Sequence, residues 1–350
     1  MTCEFKVDNT IIKDDSECFV IAEIGNNHQG NIQKCLDIIL AAKNSGASAV
    51  KLQKRNNQEL FTNEFYNSNY DNVNSFGKTY GKHREFLEFG EDEYKEIIDF
   101  CKSIGIIFFC TPFDFSSLEF LEKIDLKLYK IASADIDNLE LIRETARTKK
   151  PIIISTGGSS YTEIESAINE ICKFHKNFSI LQCTSQYPAE FENLNLNVIT
   201  ELKKRYPENI IGYSGHDNGI SMAIAAYVLG ARIIEKHFTL NRTWKGTDQV
   251  FSLTPEGMRK MIRDLKRTKQ AFGSSEKKLL DCEKQYLYKL KKSIKVIDNI
   301  SKGTVIKRQH LCFKCPGDGV SPSKVEYFIG KKVLRDIDKD HAIKYNDVEV

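Results

Sequence analysis

The sequence predicts a (β/α)8 barrel followed by a small β-rich domain, and three observations carry that prediction. Between Cys18 and Leu240 a short apolar run ending on polar residues recurs eight times. Each run is followed by a stretch able to form a helix, and eight such units suit a closed barrel of about 250 residues. From Ser293 onward the rhythm gives way to short strands and turns that contain an internal echo.

The eight runs are CFVIAEIG, AVKLQ, IIFFCTP, LYKIAS, PIIISTG, FSILQCT, IIGYSGH and RIIEKHFTL. They are short and largely apolar, as parallel strands buried on both faces must be. After the first, Asn31 to Ser45 sets Ile32, Cys35, Leu36 and Ile39 at helical spacing, with Gly46 as a stop. After the second, Asn56 to Asp92 breaks the rhythm. So long a connection is usually a lid or disordered, and its aromatics with Arg84 predict an ordered flap, surface packing being the alternative. The last barrel helix is predicted over Pro255 to Phe272, with Thr254 as its cap and Pro255 in its first turn. A doubly wound open sheet would give a similar alternation, but eight units favour closure.

The predicted organisation is a barrel over 1–275, a polar linker over 276–292 and a terminal domain over 293–350. Within that domain VIDNISKGTVIKRQHL, from Val296 to Leu311, aligns without gaps on VLRDIDKDHAIKYNDV, from Val333 to Val348. Val296 then matches Val333, Ile300 matches Ile337 and Ile306 matches Ile343. A duplicated strand-turn-strand unit predicts a pseudo-symmetric domain, too small to be robust alone and expected to dock on the barrel or on a neighbouring subunit.

Bulk properties narrow the function. The 51 basic residues nearly balance the 48 acidic ones, leaving a net charge of +3 that points to neither nucleic acid nor a membrane surface as partner. The opening MTCEFKVDNTIIKDDSE is charged where a signal peptide is apolar, and no run is long enough to span a bilayer, so a soluble cytoplasmic protein is expected. Most of the ten cysteines fall within strand or helix patterns, as buried free thiols of a reducing compartment would. Cys312 and Cys315, with His310, contain a single C-x-x-C pair, half of a zinc site or a redox couple at most.

In a barrel of this kind, chemistry sits at the carboxyl ends of the strands. His216 and His237 close the seventh and eighth runs, so barrel adjacency would bring two imidazoles together and invite a divalent transition metal. Glu235 shares a strand face with His237, and Glu23 closes the first strand, next to the eighth. Either carboxylate is placed to ligate the metal or hold water beside it; the alternative is a histidine that only satisfies a buried hydrogen bond. Lys51 and Lys130 interrupt apolar strands, where an unpaired ammonium is costly, and so predict a bound anion. Hydroxyls of Ser133, Ser155 and Ser214, with amides of Gly157, Gly158 and Gly215, would complete a phosphate site. The competing reading is an internal ion pair, Lys130 with Asp135 or Lys51 with Glu23.

The motifs AEIGNNHQG, AVKLQ, CTPFD, KIASAD, STGG, CTSQYP, GYSGH and EKHFTL, in this order, resemble those of the sialic acid synthases. KGTVI, CPGDGVSP and IGKKVLRDI resemble that family's antifreeze-like (SAF) domain, so the resemblance spans nearly the whole chain. It implies a TIM barrel that condenses phosphoenolpyruvate with an N-acylated hexosamine, typically N-acetylmannosamine, giving a nine-carbon keto acid and phosphate. His216 and His237 correspond to its metal ligands, for Mn2+ first and Mg2+ or Co2+ as alternatives, with Glu23 and Glu235 managing water. Lys130, Ser133, Ser155 and Ser214 match its phosphate site. Lys51, Gln53, Asp135, Tyr187 and Asp248 match its substrate-handling positions. The resemblance also implies a homodimer in which one chain's terminal domain covers the other chain's barrel.

Three positions depart from the pattern: many bacterial members carry Glu at Asp135, Asn occurs at Ser185, and many carry Arg at Lys314, whose ammonium lacks the bidentate fork. With GYSGHDNG and TWKGTD, these changes resemble the animal-type synthases, which use the 6-phosphorylated sugar, as well as some bacterial ones. Diacetamido sugars leading to legionaminic or pseudaminic acid are the other acceptors to weigh. A catalytically dead binding protein on the same barrel would show losses at the strand ends, and none is visible.

Overall fold

The computed structural model describes residues 3–350, which divide after Gly273 into two compact units. The first opens with an antiparallel hairpin, β1 (Glu4–Val7) and β2 (Thr10–Lys13). Eight parallel strands follow: β3 (Phe19–Gly25), β4 (Ala49–Lys54), β5 (Ile107–Pro112), β6 (Tyr129–Ile131), β7 (Ile152–Ser155), β8 (Phe178–Cys183), β9 (Ile210–Gly215) and β10 (Ile233–His237). Each pairs with the next and β10 pairs back with β3, so the sheet is a closed barrel as expected.

Alternation along each strand sorts its residues into two environments. Outward residues such as Val20, Ala22, Val50 and Ile234 join the helices in one large core. Inward residues at the strand starts, among them Phe19, Ile21, Ala49, Leu128 and Ile233, form a second cluster inside the barrel. Phe5, Val7 and Ile12 of the hairpin belong to that inner cluster, so the hairpin plugs the amino-terminal end of the barrel. At roughly 1.5–3 kcal/mol for each large side chain buried, this plug contributes several kcal/mol and leaves only the opposite end open.

The helices follow their predicted signals. Asn31 caps the helix Ile32–Asn44 by accepting from the Lys34 amide, and Gly46, at φ +93°, turns the chain toward β4. Thr254 likewise caps Pro255–Phe272. The 56–92 stretch is ordered, with three short helices (Asn57–Leu60, Asn63–Tyr66, Tyr80–Phe86). They are held by aromatic packing, the Tyr80 ring lying 5.1 Å from Phe61, 4.7 Å from Phe65 and 5.3 Å from Tyr70. No helix among the described residues is long and apolar enough to cross a membrane.

The second unit begins with an exposed helix, Asp281–Leu290, and continues into an antiparallel pair, β11 (Ser293–Val296) and β12 (Leu311–Lys314). The sequence echo is a structural pseudo-twofold. Ile300 and Ile337 exchange both backbone hydrogen bonds at 2.9 Å, which places them on the axis. Off the axis the bonds come in matched pairs: the Gly303 amide donates to Val333 and the Asp340 amide to Val296, and the Ile306 amide donates to Lys331 and the Ile343 amide to Ile294. Gly303 and Asp340 occupy equivalent turns with φ of +84° and +63°. Val296, Ile306 and Leu311 are buried together with their partners Val333, Ile343 and Val348. Truncating Ile306 or its partner Ile343 to alanine should therefore destabilise this unit by similar amounts, about 2–5 kcal/mol each. Hydrogen exchange of peptides from Ser293–Val350 reads the effect, and a cost confined to one of the two would deny the symmetry.

Candidate active site

The inward face of the barrel changes character at the strand ends. Continuing the alternation that buries Phe19 and Ile21 brings Glu23 inward, and the same step brings in Lys51 and Gln53 on β4, Thr111 on β5, Lys130 on β6 and Ser155 on β7. Ser214 on β9 and Glu235 and His237 on β10 complete the ring. The register sets the neighbours: Glu23 lies opposite Lys51 on one side and His237 on the other, and Glu235 lies opposite Ser214. These residues line a cavity of about 690 Å3, with Asn26, Arg55, Arg84 and Asp248 toward its rim.

Its floor is a buried charge cluster. Lys51 Nζ lies 2.9 Å from Glu23 Oε2 and 3.6 Å from Glu235 Oε1, and donates to Thr111 Oγ1 at 3.1 Å. Lys130 Nζ donates to Ser155 Oγ and to the Ile131 carbonyl, 4.0 Å from Glu235 Oε1. Glu235 Oε1 also accepts from Ser214 Oγ at 3.3 Å, while its Oε2 is buried without a hydrogen-bond partner. Burial alone would lower the affinity of the Lys51 ammonium for its proton, but the two carboxylates outweigh it and hold the group above its ordinary range. For Lys130 burial prevails over Glu235 and the shift is downward. Burial would raise Glu235, and Lys130 and Lys51 reverse the sign. The Lys51–Glu23 pairing weighed from the sequence is thus present, whereas Lys130 faces Glu235 and not Asp135.

Beside Lys130 the loop after β7 makes a close cradle. The Gly157 amide donates to Ser133 Oγ at 2.9 Å, and a Cβ at Gly157 would fall 2.3 Å from Ser185 Oγ and 2.9 Å from Ser133 Oγ. Ser133, Ser155, Ser185 and Ser214 all line the cavity here and Ser155 Oγ accepts from Lys130, so hydroxyls and an ammonium share this part of the wall, as an oxyanion requires.

On the other side stand the two histidines, their ring centroids 5.4 Å apart. The Thr184 carbonyl, 2.8 Å from His216 Nδ1, accepts only, so Nδ1 carries the proton and Nε2 keeps its lone pair. Burial, reinforced by His237, holds His216 neutral down to a pKa of about 3. His237 Nδ1 is buried without a hydrogen-bond partner, 3.6 Å from Asp248 Oδ2. The free Nε2 of His216 and the neighbouring His237 ring suit two positions of a divalent cation, leaving its other positions to water and substrate. Among the described residues no three His, Cys, Asp or Glu side chains converge on one point. Tyr187 packs on His216 at 4.1 Å between ring centroids and forms part of the cavity wall.

Two candidate residues lie elsewhere. Lys314 ends β12 in the second unit, where its ammonium pairs with Asp340. Asp135 is buried, but it does not line the cavity. It closes a 3-10 turn, Ser133–Asp135, whose tighter pitch leaves Ser133 and Asp137 in the wall and turns Asp135 away. Its Oδ2 lacks a hydrogen-bond partner, and burial raises its pKa to about 6. Arg55, Thr111 and Asn26 line the cavity without being among the residues the sequence predicts there. Their signal was present for Thr111 and Arg55, which continue the inward alternation of Phe109 and of Lys51 and Gln53.

Because the folded protein binds the Asp135 proton more tightly than the unfolded chain, burial of this carboxylate costs stability as pH rises from about 4 through about 6. The cost amounts to up to about 3 kcal/mol above that window. Asp135→Asn should therefore raise the melting temperature at pH 7.5 and leave it little changed at pH 4, as measured by thermal unfolding at the two values.

Residues 38–277 match the NeuB family. The chain is 38% identical over 333 residues to the N-acetylneuraminate-9-phosphate synthase of Mus musculus, covering 95% of this chain and 93% of that protein. It is 33% identical over 329 residues to the N,N'-diacetyllegionaminic acid synthase of Campylobacter jejuni, covering 93% and 98% respectively. The crystal structure of the N-acetylneuraminic acid synthetase of Leptospira borgpetersenii, in complex with citrate, superposes with a TM-score of 0.71 at 32% identity, over 82% of this chain and 96% of that one. A closed barrel with this charged mouth and this extent of similarity has one assignment: the chain belongs to the NeuB family of sialic acid synthases.

Proposed function

We propose that the protein condenses phosphoenolpyruvate with an N-acylated hexosamine, N-acetylmannosamine in the simplest case, to give a nine-carbon 2-keto-3-deoxy acid and phosphate. The observation that carries this reading is the side-by-side placement of a lysine–hydroxyl cradle and a histidine pair around Glu235. One half suits a phosphate and the other the carbonyl of an acceptor.

In this reading Lys130, Ser133, Ser155, Ser185 and Ser214 hold the phosphate of phosphoenolpyruvate, and Lys51 faces its carboxylate. His216 and His237 would hold a divalent cation, Mn2+ in first place, which when bound would supply Lewis acidity toward the acceptor's aldehyde. Asp248 and Gln53 hold sugar hydroxyls so that the aldehyde carbon meets the methylene carbon of phosphoenolpyruvate, a positioning role. As that bond forms, the enol carbon bearing the phosphate becomes electron-poor. Glu23 and Glu235 orient a water toward it, and one of them takes up a proton of that water and returns it to the aldehyde oxygen, now an alkoxide; the tetrahedral carbon then expels phosphate by breaking its carbon–oxygen bond, and its hydroxyl becomes the ketone as its proton leaves with the phosphate. Lys130 and the hydroxyls stabilise the charge on the departing phosphate.

Phosphate release from phosphoenolpyruvate should require an acceptor, N-acetylmannosamine, its 6-phosphate or a diacetamido sugar, and should fall to background with a chelator and return with Mn2+. His237→Ala should lower kcat by 100-fold or more. Release with no acceptor in the panel would sink the proposal, and turnover that survives both chelation and His237→Ala would remove the metal from it.

A further inference from the structure

The two strands that carry the histidines stop pairing just short of them. The last rung between β9 and β10 joins Gly215 to Lys236, so no rung of that ladder joins His216 to His237. Beyond it the chains part. The His216 carbonyl accepts from the Ala189 amide at 3.1 Å, in the loop after β8. The His237 carbonyl accepts from the Leu253 amide at 2.8 Å, and the next amide, of Phe238, donates to the Glu23 carbonyl on β3 at 2.8 Å. Each histidine is thus tied to a different neighbour, whereas a shared cation needs a nitrogen from each at one point.

A buried cluster on the outer face of the barrel bridges this gap. The alternation that turns Glu235 and His237 inward turns Lys236 outward, and Tyr213 points outward beside the inward Ser214. Asp217, the residue after His216, reaches the same layer. Lys236 Nζ donates to the Asp217 carbonyl at 2.6 Å and to its Oδ1 at 3.0 Å, and the Tyr213 hydroxyl donates to the same Oδ1 at 2.7 Å. None of the three residues is more than 1% exposed. A Cβ on Gly215 would fall 2.6 Å from Asp217 Oδ1 and closer still to the Tyr213 ring, so the cluster closes over a position that admits no side chain.

This pair is poorly arranged for stability alone. Asp217 Oδ2 is buried without a hydrogen-bond partner, and Asp217 is the one counter-ion of Lys236 among the described residues, in a layer that also holds Ala22 and Ile234. Buried ion pairs of this kind often contribute less than apolar residues that could replace them. What this one supplies is a fixed separation between residues 217 and 236, each next in the chain to one of the histidines.

We propose that Lys236, Asp217 and Tyr213 are positioning residues for the metal site, a clamp behind the sheet that sets His216 and His237 at the spacing a divalent cation requires. The proposal rests on the metal role in the synthase reading and adds a support on the far side of the strands. Lys130 and Ser155 of the phosphate cradle sit on β6 and β7, which the clamp does not touch. Loss of the clamp is therefore felt at the metal and not at the phosphate.

The test titrates metal-free protein with Mn2+, followed by the electron paramagnetic resonance signal of the free ion, and separately with phosphoenolpyruvate by calorimetry. Lys236→Met alone would strand the Asp217 charge, so it is combined with Asp217→Asn, and Tyr213→Phe is measured beside this double variant. Outer supports of metal sites contribute about ten- to hundredfold in affinity, so the double variant should bind Mn2+ about tenfold more weakly or worse, and Tyr213→Phe about threefold. Phosphoenolpyruvate affinity should stay at the wild-type value in both. Unchanged Mn2+ affinity overturns the clamp, and so does an equal loss for Mn2+ and phosphoenolpyruvate, which marks a general loosening of the barrel. Tyr213→Phe decides alone if the double variant does not fold. A wild type that binds no Mn2+ removes the metal from the proposed function and overturns the clamp with it. A wild type that binds Mn2+ but not phosphoenolpyruvate sinks the synthase reading and leaves the Mn2+ titrations to decide the clamp.

Discussion

The buried pairing of Lys51 with Glu23 and Glu235 is the constraint on which the rest of the site depends. Ammonium and carboxylate groups inside a barrel each cost several kcal/mol to desolvate, and only close pairing with satisfied hydrogen bonds offsets that. Here two lysines and two carboxylates balance, with Thr111, Ser155, Ser214 and Gln53 bonded to the same four groups. Removing one member would strand another, at about 3–5 kcal/mol. The cluster therefore holds its own geometry fixed before any substrate arrives, and fixed charge is what stabilises charge developing in a reaction.

Everything around the cluster follows from strand alternation in a closed barrel. The inward faces start apolar, are sealed by Phe5, Val7 and Ile12, and become ionic only at the carboxyl ends. Closure matters because it makes β10 a neighbour of β3, which sets His237 opposite Glu23 although they lie at opposite ends of the barrel sequence. The histidine pair and the oxyanion cradle then share one carboxylate, Glu235. That sharing gives a single group contact with both halves of the chemistry.

Much of this was legible in the sequence because polar residues at strand ends interrupt apolar runs with period two. Lys51 and Lys130 are conspicuous for that reason, and the two histidines end their runs cleanly. The terminal unit was legible through its repeat, since Ile300 and Ile337 must occupy equivalent places for either half to bury its apolar side. The failures also have physical causes. Asp135 lies one step into a 3-10 turn, where three residues per turn replace the strand period, so its direction could not be carried over from Lys130. Arg55 falls just past β4, where the period of Lys51 and Gln53 still carries it inward but the polar stretch around it gives no sign of burial, and its stacking on Phe113 holds it inside. The β1–β2 hairpin went unrecognised because its strands are four residues long, although Phe5 and Val7 alternate and Asp8 takes the positive φ of a tight turn.

The central claim is that the lysine–hydroxyl cradle receives a phosphate leaving from carbon, driven by bond formation to an acceptor at the histidine pair. Its most direct test is the fate of 18O placed in the bridging oxygen of phosphoenolpyruvate during a single turnover with acceptor. The account predicts that the label leaves in inorganic phosphate. Label retained in the organic acid, which would mean cleavage at phosphorus, contradicts it.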